Sequence, residues 1–214
     1  MTSTLSPQAL AVIDAYRDIP YYNNKHHGIR MGFRTQVGKG APGEINDEAH
    51  AFALAEKVDW PNLTSELRKK YLVDHHLGVD CSGFIYHVLD AEAKARGLDS
   101  ISKSLEFPFA NGLLSRLDRV LRGRYVENAD VQTFAHAANS RAVKKDEIQA
   151  GDFVVIISPE RKHMMLISKV DNTTLEYVES TEFGTKDKYD SGLRRTSMLI
   201  SKLELPVQRL YYLH

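Results

Sequence analysis

The stretch GVDCSGFIYHVLDAE, residues 78–92, decides the reading of this chain. It places the single cysteine of the sequence, Cys81, where an apolar helix begins. Asp80 is a good N-cap, so Cys81 takes the first helical position and Ser82 and Gly83 complete the first turn. A helix N-terminus stabilises a thiolate through its backbone N–H groups and its dipole, and the same groups can donate to a developing oxyanion. A lone cysteine is more commonly a small buried hydrophobe. On these residues alone both readings of Cys81 stand, core filler and nucleophile.

Outward from this stretch, apolar spacing carries the helix to about Arg96, with Gly97 as a stop. Toward the N-terminus, Ser6-Pro7 reads as a cap with proline at the first helical position, which predicts a helix over 7–18, closed by Ile19-Pro20. PYYNNKHHGIRMGFRTQVGKGAPGE, residues 20–44, is punctuated by glycine and proline and has no period, so it reads as a long loop. Its GKG does not have the GxxxxGK[ST] spacing of a phosphate-binding loop. Asn46-Asp47-Glu48 opens a helix through Lys57, Thr64–Leu72 forms another, and Leu113–Leu121 and Val131–Ala138 two more, the last capped by Asp130.

From residue 151 the pattern changes. GDFVVII is a short apolar run after a turn; HMMLISKV and TTLEYVES follow, and VQRLYYL closes the chain. These read as antiparallel strands. Helices followed by a strand meander define an α+β class, expected here as one domain over 1–214.

Composition narrows the functions. Lys plus Arg and Asp plus Glu number 28 each, so no global field recruits nucleic acid or anionic lipid. One cysteine makes no intrachain disulfide. The first twenty residues carry no basic region and place Asp14 and Asp18 inside their apolar part, unlike a signal peptide, and no apolar run reaches the roughly 18 residues a membrane span needs. The chain therefore reads as cytoplasmic, with a non-classical route required if it acts on a cell wall. The His26-His27 and His75-His76 pairs lack the spacing of metal ligands, and no cofactor motif is present, so neither metal nor cofactor is expected. RLDRVLRGR, residues 116–124, reads as the solvated face of an amphipathic helix.

DCSGFIYHVLDA resembles the nucleophile block of the NlpC/P60 cysteine peptidases, an Asp-Cys-Ser-Gly followed by an apolar helix. AVKKDEIQAGDFVVI resembles that family's second block, where Gly-Asp, here Gly151 and Asp152, launches a core strand. HMMLIS resembles its His-Val-Gly-Ile strand, which implies His163 as catalytic base to Cys81. The third, ring-orienting residue of the family falls on the next strand and maps to Glu179. Glutamate departs from the usual His, Asn or Gln there, although the related CHAP amidases use it. Strand parity agrees, since Leu175, Tyr177 and Glu179 share a face. The resemblance also implies Tyr22, in competition with Tyr21, as an oxyanion-site tyrosine, with Asp80 and Ser82 in the same substrate region. It implies a papain-like fold with helical insertions over about 23–77 and 99–141. The activity implied is cleavage of an amide or isopeptide bond through an acyl-enzyme, in peptidoglycan stem peptides. A cytosolic amidase or acyltransferase on a protein or lipid, and a catalytically silent binding module, are the alternatives.

Overall fold

A computed structural model describes residues 2–23, 34–110, 112, 117, 120, 121, 123 and 125–213. Its helices are α1 (Pro7–Ala15), α2 (Pro42–Glu56), α3 (Ser65–Asp74), α4 (Cys81–Ala95) and α5 (Val131–Ala135). The strands are β1 (Ser3–Thr4), β2 (Ser140–Val143), β3 (Phe153–Ile157), β4 (Lys162–Val170), β5 (Thr174–Glu182), β6 (Ser191–Leu199) and β7 (Val207–Leu210). The class is α+β. The strands form one antiparallel sheet in the order β2-β7-β3-β4-β5-β6, and β1 lies alongside the end of β4. No helix among the described residues is long and apolar enough to cross a membrane.

Local chemistry accounts for most boundaries. Ser6, Thr64, Asp80 and Asp130 each accept a backbone N–H from the first turn of their helix. The first helix stops at Ala15 rather than residue 18, because the chain tightens into a turn before Pro20, which disfavours helical backbone at Ile19. The second starts four residues earlier than expected. Pro42 occupies the first helical position and the Glu44 carboxylate accepts the Ala41 N–H at 2.9 Å, so what reads as loop punctuation is a helix start. The expected helix Leu113–Leu121 and the RLDRVLRGR segment fall largely outside the described residues, as do His26 and His27. Leu117 and Leu121 of this segment are exposed.

Strand alternation feeds two cores. Met164, Leu166 and Val178 face the larger one, where Phe84, Ile85, Val88 and Leu89 of α4 are fully buried; Met165, Ile167 and Leu175 face the smaller. Each large apolar side chain so buried contributes about 1.5–3 kcal/mol, which seats α4 on the sheet. The larger core also takes Ile45, Ala49 and Trp60 from residues 23–77, and Ile101, Phe107, Val126 and Phe134 from residues 99–141. Both segments are therefore built into the packing that holds the cysteine helix.

Candidate active site

Three irregular stretches meet at the start of α4. Val79 N–H donates to Pro20 O at 3.1 Å, Tyr22 N–H to Val79 O at 3.2 Å, and Asp80 N–H to Gly38 O at 2.8 Å. The approach is close enough to demand glycine. A Cβ on Gly38, whose φ is +73°, would fall 2.2 Å from Tyr22 O, and one on Gly83 would fall 2.5 Å from Gly38 O. The tyrosine segment, 59 positions before Cys81 when counted from Tyr22, is thereby laid against the residues that lead into the cysteine.

Cys81 is 4% exposed at the first position of α4. Burial by itself makes a thiol inert, so its surroundings decide its chemistry. Asp80 and Ser82 do not face outward toward a substrate. Asp80 Oδ1 accepts from Gly83 N–H at 2.7 Å, from Ser82 Oγ at 3.0 Å and from Lys39 Nζ at 2.9 Å, while Ser82 Oγ accepts from Lys39 Nζ at 2.5 Å. Lys39, itself 6% exposed, also donates to Ala129 O at 3.3 Å. The sequence carries no signal for this lysine, whose partner Asp80 lies 41 positions further along the chain. Gly38 and Gly40 let the backbone pass tightly enough to thread an ammonium under a helix end.

The two candidate tyrosines part. The Tyr22 ring lies against His76, with ring centres 5.6 Å apart. Burial, and then the neighbouring Cys81, push the Tyr21 hydroxyl well above its ordinary range, with Asp80 and Glu182 adding to the effect and the hydrogen bond from Asn23 Nδ2 at 3.2 Å opposing it. Tyr21, not Tyr22, is thus the tyrosine whose hydroxyl shares the field of the thiol, and it stays a proton donor at neutral pH. Neighbouring residues on an extended segment point to opposite sides, so a one-residue shift exchanges the roles.

His163 and Glu179 meet on adjacent strands. Both are buried, and His163 Nε2 lies 2.5 Å from Glu179 Oε2. The paired register of β4 and β5 ends at Leu166↔Val178, and His163 and Glu179 lie beyond that last rung, their side chains bridging the opening. With Nε2 held by the carboxylate, Nδ1 is the ring nitrogen left to exchange a proton. Helix α4 packs on both strands, and the hydroxyl of Ser180, next to Glu179, donates to Val79 O at 2.8 Å, two residues before Cys81.

The remaining expected residues have structural places. Asp152 of the Gly-Asp turn is fully buried and holds Arg209 by a two-pronged contact, Nε to Oδ1 at 2.7 Å and Nη2 to Oδ2 at 2.8 Å. His75 lies in a surface cluster with Glu56 and Tyr71. His87 packs on Tyr16 and Tyr86, with Nε2 3.0 Å from Lys39 O, and burial pushes its pKa down. Among the described residues, no group of three or more His, Cys, Asp or Glu side chains is placed to hold a metal ion.

Comparison of the chain with protein-family models, with curated proteins and with solved structures finds no match.

Proposed function

We propose that the protein is a cysteine hydrolase of the NlpC/P60 type with a papain-like arrangement, cleaving an amide or isopeptide bond in peptidoglycan stem peptides. The observation that carries the reading is the short buried contact between His163 and Glu179, on the two strands against which the helix starting at Cys81 packs. A carboxylate on Nε2 fixes the tautomer and stabilises the imidazolium that forms when Nδ1 takes a proton.

In this mechanism His163 Nδ1 accepts the Cys81 proton and the thiolate sulfur attacks the carbonyl carbon, opening its double bond to an oxyanion. The Cys81 backbone N–H, at the first position of the helix, and the Tyr21 O–H stabilise that oxyanion. As the carbon–nitrogen bond breaks, the imidazolium returns its proton to the departing amine, leaving a thioester. Water, deprotonated by His163, attacks the thioester and restores the Cys81 thiol. Glu179 positions the ring throughout.

The test is incubation of purified sacculi with the protein and mass analysis of what is released. Stem-peptide fragments cut at an amide bond, frequent at the D-glutamyl to diamino-acid position in the resembled family, are expected from the wild type and not from Cys81→Ala. Intact sacculi in the presence of a reactive Cys81 would reject peptidoglycan as the substrate and move the chemistry to a protein or lipid amide.

A further inference from the structure

The least explained group near the thiol is Lys39. A buried ammonium is costly to desolvate, and here it comes from the first insertion to reach a helix cap that aspartate alone can make. The cap has a cost for the residue it precedes. Asp80 supplies the acceptor the helix needs, yet an anionic carboxylate beside Cys81 opposes the thiolate that a helix N-terminus favours.

We propose that Lys39 is a positioning residue for the Cys81 thiolate: by pairing with Asp80 and Ser82 it cancels the charge of the N-cap, so that the helix end acts on the sulfur unopposed. The inference rests on the nucleophile reading of Cys81 and deepens it. Asp80, on the turn of Cys81, is joined to Lys39 from residues 38–40; Tyr21 from residues 20–22 feels the charges of Cys81, Asp80 and Glu182, and the His163–Glu179 pair lies on β4 and β5, the strands against which α4 packs. Only Lys39 and Asp80 in this set are joined directly beneath the first turn. The geometry also explains why the GKG stretch needs its glycines. Lys39 Nζ reaches Asp80 because residue 38 adopts a left-handed backbone and passes within hydrogen-bonding distance of Asp80 N–H.

The prediction is a pattern of signs in the pH midpoint of Cys81 alkylation by iodoacetamide. Lys39→Met, which leaves Asp80 uncompensated, is expected to raise the midpoint by about one unit, read as roughly tenfold slower alkylation well below the midpoint. Asp80→Asn with Lys39 retained is expected to lower it. The Lys39→Met/Asp80→Asn double variant is expected to return close to the wild type, whereas a purely structural role would leave the double variant no closer to wild type than the worse single. Melting curves run in parallel identify any variant that fails to fold. If Lys39→Met does not fold, the opposite signs of Asp80→Asn and of Lys39→Gln carry the same test. Midpoints unchanged in all folded variants would overturn the role of Lys39. Because the shift is read from the thiol alone, absence of sacculus cleavage rejects the substrate without touching this inference. A wild-type midpoint at or above about 8.5 rejects the activated nucleophile, while the pattern of shifts still decides on Lys39.

Discussion

Asp152–Arg209 and His163–Glu179 are both buried side-chain contacts of a carboxylate at the same sheet, and they are built differently. Asp152 spends both oxygens on Arg209 and accepts the Gln149 N–H as well, while Arg209 also donates to Glu147 O at 2.5 Å. That pair is saturated, and it ties the turn before β3 to β7. His163–Glu179 is a single contact of one ring nitrogen with one carboxylate oxygen, placed where β4 and β5 have stopped pairing. A fork that uses every oxygen fixes a fold; a single contact that leaves Nδ1 available can pass a proton. In the proposed reading, one buried carboxylate contact serves the fold and the other serves the reaction.

The sharpest way to break the comparison is to remove one member of each pair. His163→Gln, whose amide can still bond the buried Glu179 carboxylate, is expected to reduce hydrolysis by about 10³-fold or more while melting changes little. Arg209→Met, which strands a buried carboxylate, is expected to cost about 3–5 kcal/mol, a fall in Tm of roughly 10 °C, with the alkylation midpoint of Cys81 unmoved in the folded protein. Turnover assays and melting curves on both variants decide it, and an exchange of the two phenotypes would invert the assignment.

Next in size is the oxyanion donor. Tyr21→Phe is expected to lower turnover by about 10²-fold, and Tyr22→Phe to leave it within a few-fold of wild type. Equal effects would return the role to neither tyrosine. Glu179→Gln follows, with a loss of about tenfold to a hundredfold, because an amide still orients the ring but stabilises imidazolium less. Glu176→Gln serves as control, since Glu176 bonds Ser168 on β4 and pairs with Arg195 rather than His163. A loss in the control as large as in Glu179→Gln would reduce the site to a Cys81–His163 dyad.

The smallest effect concerns His87. Its folded pKa lies below the ordinary value because burial disfavours the cation, so the unfolded chain binds the proton more readily. The stability it contributes is present above about pH 6.5 and is lost as pH falls below that value. A shallow fall in Tm between pH 7 and 5 is expected, reduced in His87→Gln. A Tm profile identical in both proteins would assign the acid sensitivity elsewhere.

What was readable in the sequence follows the same division between local and distant causes. The caps at Ser6, Asp80 and Asp130 are local and legible in the sequence, whereas Thr64, which reads as the first residue of its helix, is the cap before it. The strands β3, β4 and β5 were visible because each is apolar enough to stand out. Two edge strands were not. Ser191–Leu199 and Ser140–Val143 carry Arg194, Arg195 and Arg141, and charges that protect a sheet edge look like loop in a sequence. Glu179 was found because parity and motif agreed. Lys39 was not, since its partner lies 41 positions away and nothing in GKGAPGE names Asp80. Ile45 and Trp60 of residues 23–77 and Phe107 and Phe134 of residues 99–141 join the larger core, so deleting 99–141 is expected to unfold the chain.

The most direct measurement is the rate of Cys81 alkylation by iodoacetamide as a function of pH, in the wild type and in His163→Ala. An activated nucleophile is expected to give a wild-type midpoint well below the free-thiol value of about 8.5, moving up toward it when the imidazole is removed. A midpoint at or above 8.5 in the wild type, unmoved by His163→Ala, would contradict the assignment and leave Cys81 as a buried core residue.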